Sequence, residues 1–127
     1  MKVKIYYHHT DCGGVVYYAT YLEFLEEART EFLAEKGLDF KKLSGEGKFF
    51  VVARQEVDYK SPAYYGDILE IYTRLNAVKG VQVDLSHQIK NESGVTVIEA
   101  RTVLAFVDKE FKLFRIPEDI RKKIESD

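Results

Sequence analysis

Within one short stretch, from Tyr6 to Tyr21, the chain gathers a carboxylate (Asp11), a thiol (Cys12), two imidazoles (His8 and His9), a glycine pair (Gly13-Gly14) and several tyrosines. Each group invites a different chemistry. The adjacent histidines suggest a metal. On a strand, however, neighbouring side chains point to opposite faces and chelate one ion poorly. One histidine with Asp11 makes only two ligands where a zinc site uses at least three, so no metal is expected and the histidines read as exposed or hydrogen-bonded strand-end residues. Cys12 could act as a nucleophile only with a lowered pKa and a fixed base beside it; a small buried thiol next to a glycine turn is the plainer reading. His87 falls in the otherwise apolar row Val81, Val83, Leu85 and Ile89, and reads as a core or interface histidine.

Asp11 leaves two readings open. An aspartate ahead of glycines often bonds nearby backbone N–H groups and merely builds a turn. The same glycines would also let the chain fold back and set the carboxylate beside the following helix start. N–H groups there are unpaired and carry about half a unit of positive charge. A carboxylate facing such donors suits acyl hydrolysis, because one group attacks or activates water while the other takes up the oxyanion. A preorganised donor contributes on the order of a hundredfold in rate, and a general base roughly 10²–10⁴.

Other chemistries lack their motifs. There is no Gly-x-Ser-x-Gly elbow. Gly45-Glu46-Gly47-Lys48 has neither the spacing nor the following Ser or Thr of a phosphate-binding loop. A formal net charge of −2 gives no footprint for nucleic acid. Apolar runs are too short for a membrane span, and the first residues alternate instead of forming a signal-type block. The single cysteine excludes an internal disulfide, and a cytoplasmic setting is expected.

The elements that must position Asp11 follow from periodicity. Val3, Ile5 and Tyr7 alternate with Lys2, Lys4 and Tyr6, predicting a half-buried strand into the loop. Thr20-Tyr21-Leu22-Glu23 has the form of a capping box. Tyr21, Leu22, Leu25, Ala28, Phe32 and Leu33 then recur at helical spacing until Gly37 stops the helix. Leu38 to Lys48 is a polar connection with room for one helical turn. Four strands come next. The first places Val51, Ala53, Val57 and Tyr59 opposite Arg54, Glu56, Asp58 and Lys60; Ser61-Pro62-Ala63 ends it. Strands over Ile68–Leu75, Val81–Lys90 and Val95–Val107 are joined by turns at Lys79-Gly80 and Asn91 to Gly94; the last reads as central and covered on both faces. Pro117 opens a short C-terminal helix. Short turns require antiparallel neighbours. The expectation is one α+β domain over residues 1–127, with a long helix against an antiparallel sheet of about five strands and open sheet edges that invite homo-oligomers.

Tyr6-Tyr7-x-x-Thr10-Asp11-x-Gly13-Gly14-Val15-Val16-Tyr17, then Tyr21-Leu22-x-Phe24-x-Glu26-x-Ala28-Arg29-Thr30, resembles the signature of the YbgC and 4-hydroxybenzoyl-CoA thioesterase family of hotdog-fold proteins. The likeness continues through Asp58-Tyr59-x-x-Pro62-Ala63 and Gly66-Asp67-x-Leu69-Glu70. It implies the hotdog fold, hydrolysis of acyl-CoA thioesters without a cofactor, and a site formed between subunits of a dimer or of a tetramer built from two dimers. It also implies Asp11 as the catalytic carboxylate and the backbone N–H of Tyr18 as the oxyanion donor. Close relatives often read Tyr-His-Ala-Asn-Tyr where this chain has Tyr17-Tyr18-Ala19-Thr20-Tyr21, so no histidine side chain serves here.

CoA phosphates call for cations, and Arg54, Lys60, Lys79 and Arg101 are strand or turn candidates that could equally be solvated charges. Tyr17, Tyr18 and Tyr21 either line an acyl pocket or belong to the core or a subunit interface. Two other readings remain. One is a hotdog module that binds an acyl group or a partner without turnover. The other is a dehydratase with a histidine–acid pair, for which His87 is the only candidate.

Overall fold

The computed structural model describes residues Met1–Asp127. Strand β1 (Lys2–Lys4) leads through the Asp11 loop into α1 (Thr20–Glu35), followed by a short α2 (Phe40–Gly45). Strands β2 (Lys48–Tyr59), β3 (Ile68–Lys79), β4 (Gln82–Asn91) and β5 (Thr96–Asp108) then precede α3 (Glu118–Glu125). The sheet runs β1-β3-β4-β5-β2, antiparallel throughout. This is the expected hotdog arrangement.

Helix α1 buries Tyr21, Phe24, Leu25, Ala28 and Leu33, a stripe at three- and four-residue spacing. Phe24 joins the core, whereas Leu22 stays 43% exposed. The helix ends in a Schellman motif: Leu38 N–H reaches Leu33 O, Gly37 N–H reaches Ala34 O, and Gly37 takes φ +97°. At its other end the capping box is not formed. Thr20 is the first helical residue, Ala19 occupies the cap position with helical dihedrals, and Thr20 Oγ1 turns back towards His9 O at 3.5 Å. The chain reaches α1 through a tight turn in which Thr20 N–H donates to Tyr17 O. The backbone thus supplies the entry that the threonine was expected to provide.

Three strand expectations need correction. Strand β1 stops at Lys4; residues Tyr7–His9 form a 3-10 turn instead, and Tyr7 stacks on Tyr65 at 4.0 Å. In β2 a bulge between Val52 and Arg54 resets the alternation. Phe50 and Val52 therefore oppose core residues Phe106 and Leu104, while Val51 lies on the other face from Val57. Strand β5 is internal but not central, since β4 holds the middle of the sheet. Its buried run covers Thr102 to Val107, and Glu99 and Arg101 are exposed.

The core divides into two apolar clusters. One gathers Tyr21, Leu25 and Ala28 with Ile71, Ile89 and Ile98; the other gathers Leu33 with Val83, Leu85, Leu104 and Phe106. Between them a polar layer crosses the sheet, with Thr73 facing His87 and Thr102 facing Gln55 in register, and Arg29 above on α1. Thr102 Oγ1 donates to Gln55 Oε1 at 2.7 Å. Thr73 Oγ1 meets His87 Nδ1 at 3.1 Å, and His87 Nε2 is buried without a partner.

Candidate active site

The Asp11 loop is a small hairpin. Asp11 N–H donates to Val15 O and Tyr17 N–H to His9 O, both at 2.9 Å, and Gly14 N–H closes the turn onto Asp11 O at 3.0 Å. Val16 N–H bonds Ala63 O, tying the hairpin to the segment just before β3. The two glycines do different jobs. Gly14 takes φ +80°, which a side chain resists. Gly13 makes room, because a Cβ there would sit 3.1 Å from Asp11 Oδ1. That oxygen accepts Gly13 N–H at 2.8 Å, and the carboxylate is exposed. Both readings of Asp11 thus share one geometry: a turn aspartate whose second oxygen makes no hydrogen bond within the chain.

Two residues past Val16, the N–H groups of Tyr18 and Ala19 make no backbone hydrogen bond, since the helical ladder begins only beyond them. Residue 18 is braced from across the sheet, where Tyr59 Oη donates to Tyr18 O at 3.1 Å. Sequence reasoning did not single out Tyr59. The available signal was its place at the end of an inward row, directly before Lys60-Ser61-Pro62. A groove of about 240 Å³ opens here, lined among others by Val15, Tyr18, Tyr21, Tyr59, Lys60 and Pro62. A different cavity of about 470 Å³, on β3 to β5, lies away from Tyr18, whereas the smaller groove is lined by Tyr18 and by Val15 and Val16 of the Asp11 hairpin, though not by Asp11 itself.

The tyrosines form one cluster. Tyr18 and Tyr59 meet edge-on at 6.4 Å, Tyr21 and Tyr59 at 6.0 Å, and Tyr17 lies 4.9 Å from Tyr18. Burial pushes the Tyr21 phenol up to about 12, against the pull of Ala63 N–H. Burial and then Tyr18 raise Tyr59; hydrogen bonding with Tyr18 raises Tyr17, and the charge of Asp11 adds to it. All three phenols stay protonated at neutral pH and are not bases, and the Tyr59 phenol is the donor to Tyr18 O. Tyr21 is 3% exposed and belongs to the core with one edge on the groove, whereas Tyr17 is 45% exposed and does not line it.

Of the expected cations only Lys60 lies on the groove. Arg54 sits part-way up β2, roughly 17 Å of strand from Tyr59, and pairs with Glu56 at 2.6 Å. Lys79 ends β3, so roughly 35 Å of strand separates it from the start of β3 near Asp11. Arg101 is held by Asp84 through two bonds of 3.0 and 2.6 Å. This pair drives the Asp84 carboxyl below its usual range. One subunit therefore does not assemble these cations around Asp11.

The histidines are also rearranged. His8 and His9 stand with ring centroids 4.0 Å apart, not on opposite faces, because they lie on a 3-10 turn. His87 is 4% exposed beneath α1, where burial and then the charge of Arg29 lower its pKa to about 4. Enclosed in this way, it offers no acid–base pair to the groove. Cys12 is exposed at the turn tip instead of packed.

Comparison with known proteins identifies the family of this fold. The sequence profile of the thioesterase-like superfamily matches residues 6–124. The acyl-CoA thioester hydrolase YbgC of Escherichia coli O157:H7 is 38% identical over 106 residues, spanning 84% of this chain and 79% of that protein. The acyl-CoA thioesterase YbgC of Haemophilus influenzae is 36% identical over 107 residues, 84% and 78% of the two chains. The crystal structure of a probable thioesterase from Bartonella henselae superposes with a TM-score of 0.86 at 33% identity, covering 92% of this chain and 97% of that one. The chain belongs to the thioesterase-like superfamily, in the YbgC and 4-hydroxybenzoyl-CoA thioesterase family of hotdog proteins.

Proposed function

We propose that this protein hydrolyses acyl-CoA thioesters to a free carboxylic acid and CoA, with Asp11 as general base or nucleophile and the Tyr18 N–H as oxyanion donor. The observation that carries the proposal is a hydrogen-bonded hairpin that holds an exposed carboxylate and leads directly into a helix-entry N–H with no backbone hydrogen bond. A thioester carbonyl is weakly resonance-stabilised, so orientation, a base and an oxyanion donor suffice. Asp11 either attacks the carbonyl carbon, giving a mixed anhydride and CoA thiolate that water then resolves, or deprotonates the attacking water. The groove beside Tyr18 and Tyr59 receives the acyl end, and Lys60 is the cation best placed for CoA phosphate.

The same reading puts the site between subunits of a homodimer, or of a tetramer built from two dimers, in the cytoplasm. Strand β2 supports this arrangement: it is twelve residues long and lies at an open edge of the sheet beside the groove. A second subunit would enclose the exposed Asp11 and could carry its own Arg54 or Lys79 towards the site.

Free-thiol release from a panel of acyl-CoAs tests the proposal. Asp11→Asn should lose roughly 10²–10⁴ in kcat, and Cys12→Ala should keep it. Equal turnover by Asp11→Asn and the parent protein would leave the non-catalytic binding module as the better reading; loss in Cys12→Ala alone would move the nucleophile. Label from heavy-oxygen water appearing in Asp11 during a single turnover would support direct attack, because base catalysis leaves the Asp11 oxygens unlabelled.

A further inference from the structure

His9 has no part in the chemistry above, yet it holds both ends of the loop that presents it. Its Nδ1 accepts Tyr6 N–H at 2.9 Å, and its own N–H donates to Tyr6 O at 3.0 Å. Its carbonyl receives Tyr17 N–H at 2.9 Å and, more weakly, Thr20 Oγ1 at 3.5 Å. One residue therefore ties the 3-10 turn before Asp11 to the strand arm that delivers Tyr18 and to the first residue of α1. The ring is wedged edge-on against Phe24 of α1 at 5.1 Å and against His8 at 4.0 Å.

A backbone amide can only donate, so Nδ1 is the acceptor and the ring proton sits on Nε2. Protonation at Nδ1 would set two donors against each other and break the tie. We propose that His9 is a positioning residue for the reaction: its neutral imidazole clips the Tyr6 amide, fixing the spacing between the Asp11 carboxylate and the Tyr18 N–H, and acid opens the clip. This inference rests on the hydrolytic reading of Asp11. The groups facing His9 are His8 and Tyr6 from its own turn and Glu23 from α1; Lys4 Nζ lies over the Tyr6 ring, 5.9 Å from its centroid. Partial burial and the neighbouring His8 favour the neutral form, and Glu23 opposes them.

The position discriminates between substitutions. In asparagine, Oδ1 hangs from Cγ as Nδ1 does, so His9→Asn keeps an acceptor that does not titrate; His9→Leu fills the space without one. Steady-state rates on an acyl-CoA, measured from about pH 4.5 to 8, should show His9→Leu losing about tenfold or more in kcat, with KM changed less, as expected for misplaced catalytic groups. His9→Asn should restore most of kcat near neutral pH and lose that part of the acid decline that His9 contributes. Nitrogen-15 NMR of the ring should report an unprotonated Nδ1 at neutral pH, with the Tyr6 amide protected from exchange until His9 titrates. A parental kcat in His9→Leu, an unchanged pH profile in His9→Asn, or a proton on Nδ1 at neutral pH would each overturn the proposal. Failure of the hydrolytic reading shows elsewhere, in an Asp11→Asn variant as active as the parent, and the NMR measurement still decides the state of the clip.

Discussion

Asp11, Gly13 and Gly14 act as one unit, and substitutions can separate their roles. Gly13→Ala forces a Cβ against Asp11 Oδ1, which must give way by a few tenths of an ångström. We expect kcat to fall with little change in unfolding free energy, because backbone dihedrals at residue 13 tolerate a side chain. Gly14→Ala meets open space, but its φ of +80° costs roughly 1–2 kcal/mol in stability, readable by urea denaturation. Among the cations the order of importance should also be readable. Lys60→Ala is expected to raise KM for acyl-CoA several-fold, whereas Arg101→Ala should leave KM unchanged, since Asp84 already holds the guanidinium.

At the scale of elements, α1 shows how a correct element can carry a wrong cap. Its start at Thr20 and its stop before Gly37 follow from the pattern, yet the threonine hydroxyl caps nothing. Thr20→Ala should therefore cost less than about 0.5 kcal/mol. Asp39→Ala should cost about 1 kcal/mol, because Asp39 Oδ1 accepts Lys42 N–H at 3.0 Å and caps α2. Thermal or chemical denaturation of the two variants side by side tests the contrast. The bulge in β2 is the other element-scale surprise. One extra residue moves Val51 to the outer face and brings Phe50 onto Phe106 at 4.9 Å. A period of two cannot reveal a bulge, since both halves of the strand look regular by themselves.

For the molecule as a whole, the polar layer between the two core clusters makes stability depend on pH. The folded-state pKa of His87, at about 4, lies below the 6.5 of the unfolded chain. The unfolded state therefore takes up the proton first. His87 leaves full stability above about pH 6.5, removes it progressively as pH falls towards 4, and has no further effect below. The full loss is about 3 kcal/mol. Urea melts of the parent and His87→Leu at about pH 7 and about pH 4.5 should show the leucine variant losing less on acidification. An identical loss in both would place the acid sensitivity elsewhere.

The local pattern of residues determined much of this protein. Alternation gave the strands, three- and four-residue spacing gave α1, and glycines and Pro117 gave the breaks, because these depend on neighbours along the chain. The loop motif also carries Asp11 and Tyr18, the residues that the family resemblance implies for the site. Tertiary structure decided what depends on partners distant in sequence. Tyr59 reaches Tyr18 across forty-one positions, Arg101 is taken by Asp84 across the β4–β5 ladder, and His87 meets Arg29 beneath the helix. Strand order and register set those meetings, and they arise only when the sheet closes on α1.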